Sequence, residues 1–406
     1  MPKLLQISIE VNSGSVGRIA EQIGQEVIEY GWESYITYAR NNQPSKSIVI
    51  KIGNKFDVYR HGIMTRITDK QGFYSTLATT RLIKQIKEIK PDVILLHHLH
   101  GYFINIKLLF EFLEKVDIPI VWTFHDCWSF TGHCTHFDFV GCDKWKTQCY
   151  SCPQKMSYPS SFLFDNSRKN YDVKKKLFNS VKNMTIVPVS YWLGDLVVDS
   201  FLGKYPIRVI QNGINLNVFN IKDYDDIKTK YNIKDNFVIL GVASTWDKRK
   251  GLYDFIKLSK RLKEDEIIIL VGLSKKQIKQ LPHKIIGIQR TENVEELAKF
   301  YSMADVFVNP TYEDTFPTTN LEALACGTPI ITYKTGGSVE SVDNSVGFRV
   351  EKGDVNNLLF SIKIIKNKGK DYYSQKCIDK AIKHYNRKDR FKEYIDLFSK
   401  LIDENK

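Results

Sequence analysis

The feature that most limits what this chain can fold into is an alternation of short apolar runs with amphipathic stretches, kept up almost from end to end. Leu4 to Val11 gives way to a helical pattern through Ile19, Ile23 and Val27, and Val93 to Leu96, Ile118 to Phe124, Ile186 to Val189 and Ile207 to Ile210 continue the rhythm. Runs this continuously apolar suit strands buried on both faces, and the 3.6-residue period between them supplies the covering helices. An α/β fold built from βαβ units with parallel sheets is therefore predicted. After a charged interval, Lys222 to Asp235, the alternation restarts with Phe237 to Ala243, Ile267 to Val271, Ile285 to Ile288, Val306 to Val308 and Ile330 to Tyr333. That interval reads as an interdomain linker, and Tyr372 to Ile402, helical in period and without strand signals, reads as closing helices.

A length of 406 residues fits two domains at roughly 100 to 200 residues each. We place them at 1–218, with a cysteine-rich insertion at about 127–153, and at 219–380, followed by closing helices at 381–406. Hydrophobic and charged contents of 43% and 26% exclude a disordered or fibrous chain. No run approaches the roughly 20 apolar residues of a membrane span, and Leu4 to Val11 is too short and polar for a signal-peptide core, so a cytoplasmic location is expected. The formal charge of +13 favours anionic partners: nucleotides, phospholipid head groups or nucleic acid. Its basic residues are spread, and Lys174-Lys175-Lys176 reads as a solvated helix face.

Ligands of open α/β sheets sit beyond the carboxyl ends of the strands. Asn12-Ser13-Gly14-Ser15-Val16-Gly17 follows the first run and opens a helix, so Gly14 and Gly17 suit close approach of an anion to free N–H groups; an ordinary strand-to-helix turn accounts for the loop equally well. Trp122-Thr123-Phe124-His125-Asp126 places a His and an Asp at a strand end, and His97, His98 and His100 close the strand before it. In the second half, Lys248-Arg249-Lys250-Gly251 suits a diphosphate, Arg by forked contacts and Lys as a point charge. The richest segment is Asn309 to Pro329, with Glu313 and Asp314 in an acidic turn, Thr318 and Thr319 capping a short helix and Glu322 in its first turns. Gly336-Gly337-Ser338-Val339-Glu340 is a further close-approach loop.

On these residues the chain resembles the retaining glycosyltransferases of family 4, also called glycosyl transferases group 1. The resemblance covers nearly the whole length and rests on the acidic segment with its Ala325-Cys326-Gly327-Thr328-Pro329 turn. It implies the GT-B architecture, two Rossmann-like domains facing a central cleft, and transfer from a UDP- or GDP-linked sugar to a saccharide acceptor, lipid-linked, in surface or capsular polysaccharide synthesis. In the family pattern the first signature acid contacts the donor sugar, and either Asp314 or the adjacent Glu313 takes that place here; Glu322 matches the acid that binds the ribose. Lys250 matches the phosphate-binding lysine, while Thr245 stands where an arginine is usual and Arg249 is the substitute. His125 matches the histidine that faces the donor sugar, Gly14 to Gly17 the N-terminal glycine loop, and Asn212-Gly213-Ile214-Asn215 the turn that closes the first domain. Retention of configuration and independence of a divalent cofactor are implied, as is peripheral contact with the inner face of the cell membrane. The departures at Asp314 and Thr245 keep one alternative open, a catalytically inactive nucleotide-sugar-binding protein. An epimerase lacks this acidic signature, a phosphorylase needs a pyridoxal lysine and a longer chain, and a nucleic-acid-binding protein rests on charge alone without a recognisable module.

Five of the seven cysteines fall between Cys127 and Cys152. Cys134, Cys142, Cys149 and Cys152 could present four thiolates to one structural zinc, yet only Cys149-x2-Cys152 has a usual half-site spacing, so a metal site and plain reduced cysteines both stand. Trp128, Phe130, Phe137 and Trp145 in the same stretch either stack on sugars or form a local core.

Overall fold

The computed structural model describes residues 1–405. The chain divides into two compact units, Met1–Gln211 with Phe391 onward, and Asn212–Arg390.

The first unit holds six parallel strands, β1 (Lys3–Ile7), β2 (Glu33–Tyr38), β3 (Ile48–Lys51), β4 (Val93–Leu96), β5 (Ile120–Phe124) and β6 (Met184–Pro188), in the order β3-β2-β1-β4-β5-β6. The order reverses direction between β1 and β4, so the crevice beyond their carboxyl ends is the topological switch point. Strands β4, β5 and β6 are buried at every position, as their predominantly apolar runs require. Ile207 to Ile210 forms no strand; it contributes one isolated bridge, Ile207 to Ile186. Trp128, Phe130, Phe137 and Trp145 are all buried, and Phe137 stacks on Trp145 at 4.9 Å between ring centroids. They form a local core under the insertion and present no sugar-stacking surface.

The second unit repeats the plan with β7 (Phe237–Val242), β8 (Glu266–Val271), β9 (Ile285–Ile288), β10 (Val306–Asn309), β11 (Ile330–Tyr333) and β12 (Gly347–Val350), ordered β12-β11-β10-β7-β8-β9. Its switch point lies between β7 and β10.

Three boundaries differ from expectation. The first unit ends at Gln211 rather than residue 218. The charged interval is no linker, because Asp225–Lys230 is a helix anchored within the second unit by Ile227, which is 1% exposed. The closing segment joins the first unit from Phe391 rather than from residue 381: the helix Arg387–Glu404 sends Phe391, Tyr394, Ile395, Leu397 and Phe398 into the core formed by Leu4, Ile23, Val27, Val93, Val121 and Val187. Each such side chain adds roughly 1.5–3 kcal/mol of transfer free energy, which commits this helix to the first unit.

Candidate functional site

In the second unit the loops after β7 and β10 meet at the switch point. Lys250 Nζ lies 2.5 Å from Asp314 Oδ2, with the two side chains 21% and 16% exposed. A glycine makes this approach workable. Gly251 has φ +76°, and a Cβ there would lie 2.2 Å from Pro310 O, so only a residue without one lets the basic loop press against the acidic turn. The turn is pinned through its backbone: Tyr312 N donates to Arg249 O at 2.8 Å, and Arg249 Nη1 donates to Glu313 O at 3.3 Å. Beneath it, buried Asp254 accepts from Tyr312 OH at 2.7 Å and from Tyr333 OH at 3.1 Å. Of the two neighbouring acids Glu313 is 1% exposed, so Asp314 is the carboxylate that reaches the surface.

Glu322 sits on the helix Thr318–Ala325. Tyr301 OH donates to its Oε2 at 2.8 Å, and Thr318 Oγ1 to its Oε1 at 3.4 Å. Burial, together with the Glu322 charge, pushes the Tyr301 hydroxyl well above its usual pKa, so it remains a donor. Thr318 and Thr319 are half-buried at the helix start, where N–H groups lack intrahelical partners. A polar web holds this helix to the glycine loop: Asn320 Nδ2 donates to Ser341 Oγ at 2.9 Å and Ser338 O at 3.2 Å, and Asn309 Nδ2 donates to Asn320 Oδ1 at 2.9 Å. Gly337 N donates in turn to Asp314 O at 3.2 Å. Lys250, Arg249, Asp314, Thr318, Thr319, Glu322 and the glycine loop thus belong to one connected construction. Sequence reasoning missed Tyr301 and Asp254, which lie on otherwise ordinary helices and carry no motif; Asn320 falls inside the segment Asn309 to Pro329 but was given no role of its own.

In the first unit the corresponding crevice is lined by Glu10, Ser15, Gly17, Arg40, His98, His100 and Tyr158 around a cavity of about 200 Å³. Gly14 has φ +62°, and a Cβ on it would stand 2.7 Å from Glu10 Oε2. Glu10 pairs with Arg40 Nε at 3.4 Å and accepts from Asn41 Nδ2 at 2.7 Å. Asp126 Oδ2 lies 2.6 Å from His100 Nε2 and 3.3 Å from His98 Nε2; with Asp126 these form the one group, among the described residues, of three His, Cys, Asp or Glu donor atoms within 4.8 Å of one another. His125 adjoins them, its Nε2 3.3 Å from His97 Nδ1 and its ring edge-on to His98 at 5.1 Å. Burial and then the adjacent histidines push His125 well below the usual imidazole range and His97 and His98 to about 3, so these rings are neutral at neutral pH. Burial acts to raise the Asp126 carboxyl, but the adjacent His100 and its hydrogen bond to the carboxylate hold it well below the usual range, so it stays ionised. Glu10, Arg40 and Tyr158 come from three separate loops, and no spacing in the sequence links them.

The insertion after Asp126 is built of short 3-10 turns, and all seven cysteines are free thiols. Cys134, Cys142, Cys149 and Cys152 line a single small cavity.

Two family models cover the chain: Glycosyltransferase Family 4 matches residues 16–218, half of the whole, and Glycosyl transferases group 1 matches 223–384. The chain belongs to this glycosyltransferase family. Its similarity to WcaC of Escherichia coli, a protein named for glycosyl transfer in colanic acid biosynthesis, is 28% identity over 227 residues, 52% of this chain and 55% of WcaC. The match therefore spans about half the length of that curated relative. Sucrose-phosphate synthase from Thermosynechococcus elongatus superposes with a TM-score of 0.74 at 15% identity over 100% of both chains. Anabaena HepE in complex with UDP-glucose superposes at 0.66 with 14% identity, over 98% of this chain and 99% of that one. At such identities the superpositions establish the fold, which is GT-B.

Proposed function

We propose that this chain transfers a sugar from a UDP- or GDP-linked donor to a saccharide acceptor, with retention of anomeric configuration. The observation that carries the reading is the meeting of Lys250 with Asp314 at the second switch point, beside the helix that bears Glu322. The ammonium and carboxylate are the two charges such a donor requires at adjacent positions. Lys250 exchanges Asp314 for the diphosphate, Asp314 turns to the sugar hydroxyls, and Glu322, held by Tyr301, accepts from the ribose hydroxyls. Arg249 and the free N–H groups at Thr318 and Thr319 take up the charge of the departing diphosphate, which is the work a divalent ion does elsewhere. No side chain is assigned as a nucleophile. The acceptor oxygen bonds to the anomeric carbon on the face from which the diphosphate leaves, and its proton passes to the departing phosphate oxygen.

The acceptor is assigned to the first unit, whose crevice offers Glu10, Arg40 and the neutral His98 for hydroxyl recognition, with His125 set behind them. The likeness to WcaC supports a surface-polysaccharide role. No helix among the described residues is long and apolar enough to cross a membrane. Peripheral contact with the inner membrane face is supported by Phe56, Tyr59, Phe162, Leu163 and Phe164, all exposed; Phe162 N and Phe164 N donate to Arg66 O and Ile67 O, joining that segment to the end of the helix Lys55–Thr68. Lys55 and Arg60 on that helix suit anionic lipid. The test is to incubate the protein with UDP- and GDP-sugars, chelator and short saccharide acceptors, reading released nucleoside diphosphate and the product anomer by NMR. An α-linked product from an α-linked donor is expected; an inverted anomer would sink the retaining mechanism.

A further inference from the structure

The cavity bounded by Cys134, Cys142, Cys149 and Cys152 has an interior of about 10 Å³, close to the size of one water-sized sphere. Two other groups in or beside its wall are hard to explain in a purely apolar pocket. His133 has a side chain with no exposure; its Nδ1 donates to Asp69 Oδ1, and its buried Nε2 has no hydrogen-bond partner. A nitrogen left this way forgoes a hydrogen bond that buried polar atoms nearly always make. Lys174 is the second. Read from the sequence as part of a solvated face, it is 1% exposed, donating to Trp128 O at 2.5 Å and Thr131 O at 2.9 Å. No carboxylate of the described residues lies within ion-pair distance of it; its ammonium meets only those two carbonyls and the face of the Trp128 ring, whose centroid is 3.5 Å from Nζ. A buried ammonium without a counter-charge is strongly unfavourable, and deprotonated sulfurs are the counter-charge this pocket can offer. Gly132 N already donates to Cys149 Sγ at 3.2 Å, the bond an amide makes to a thiolate.

We propose that Cys134, Cys142, Cys149 and Cys152 bind one structural zinc ion as four thiolates, with Lys174 and the His133 Nε2–H offsetting the charge. Four thiols release four protons as the ion enters, leaving a tetrathiolate centre of charge −2, and the buried cation and imidazole sit where that charge falls. The Asp69–His133 pair then orients an N–H onto the thiolate shell, as carboxylate–histidine pairs do around metal centres. No three of these sulfurs stand within 4.8 Å of one another, so ion entry contracts the loop. The consequence is local to the first unit: the insertion begins directly after His125 and Asp126, and Cys127 N is bonded to Thr135 O at 2.8 Å, so an ion here fixes the segment that leaves the histidine cluster.

The test uses the full chain expressed without a polyhistidine tag. Elemental analysis should find one zinc per chain, and titration of the wild type with a mercurial should release that zinc to a chromogenic chelator as the thiols are consumed. Cobalt exchange should give thiolate-to-metal charge-transfer absorption and tetrahedral d–d bands. C149S and C152S should each lower metal content at least tenfold, and K174M should speed zinc loss to chelator on the order of tenfold while circular dichroism stays unchanged. The wild-type release measurement decides the matter even if a cysteine variant does not fold. Folded wild-type protein without zinc, with all four thiols freely reactive or joined as disulfides, overturns the proposal, and so does zinc retained in both serine variants. None of these readouts depends on transferase activity.

Discussion

Asp314→Asn is expected to separate nucleotide affinity from sugar transfer. In the free protein Lys250 is held by Asp314 at 2.5 Å in a partly buried pair, and a bound diphosphate must draw the ammonium away. Such a pair is worth about 1 kcal/mol net, since Coulomb attraction is largely offset by desolvation and side-chain ordering. Neutralising Asp314 removes that competition and one source of repulsion toward phosphate, so UDP or GDP alone should bind unchanged or up to roughly fivefold more tightly. Transfer should nevertheless fall on the order of a hundredfold, because a charged hydrogen bond to the donor sugar, about 1.5–3 kcal/mol, is lost. Lys250→Ala does the opposite to nucleotide affinity. It deletes a charge-assisted bond to phosphate of similar size and leaves Asp314 facing the diphosphate, for a total of about 3 kcal/mol, or on the order of a hundredfold weaker binding. Isothermal calorimetry on the two variants and their double, beside a turnover assay, reads all of these quantities. If Asp314→Asn weakens nucleotide binding as much as Lys250→Ala, the exchange of partners at Lys250 is wrong.

Gly251→Ala should cost about 2–4 kcal/mol of stability, from a left-handed backbone and a Cβ 2.2 Å from Pro310 O, visible as a lowered midpoint in urea unfolding. Tyr301→Phe should leave the fold intact and weaken nucleotide binding about five- to twentyfold, as Glu322 loses the 2.8 Å bond that orients it. Stability should fall as the pH drops below the unfolded-state histidine value of 6.5. His97 is depressed to about 3 when folded, so over that window the unfolded chain binds the proton more tightly; at pH 5 this residue alone contributes a loss of about 2 kcal/mol, measurable by denaturation at a series of pH values. Phe162→Asp with Leu163→Asp should abolish sedimentation with anionic vesicles while leaving nucleotide affinity unchanged; persistent binding would remove the membrane assignment.

The buried centre of each sheet was legible in the sequence. Val93–Leu96 and Ile330–Tyr333 coincide with β4 and β11, because strands buried at every position are predominantly apolar; Ile285–Ile288 coincides with β9, an edge strand buried only at its two ends. The strands that escaped notice are the less buried ones. β2 carries polar residues on its half-buried positions and the short β12 contains Arg349, so neither shows an apolar run; β3 does carry one, Ile48-Val49-Ile50, but only Ile50 of it is buried. The closing helix was legible as a helix, but its destination depends on which apolar face, hundreds of residues away, it matches. The acidic segment, Lys250 and the histidines could be named because each follows a strand directly. Tyr301, Asp254, Arg40 and Tyr158 could not, since their positions are set by folding and not by neighbours in sequence. Lys174 misled for a related reason: a run of three lysines on a helix turns one of them inward, and periodicity without a known partner face does not say which.

The central claim is that the second unit carries a nucleotide-sugar site assembled around Lys250 and Glu322. The most direct test is calorimetric titration of the full chain with UDP, GDP and ADP in the presence of chelator, repeated with Glu322→Ala. One nucleotide should bind the wild type and lose on the order of tenfold or more in affinity in the variant. Folded protein that binds none of the three, or a variant that binds as tightly as the wild type, contradicts the account.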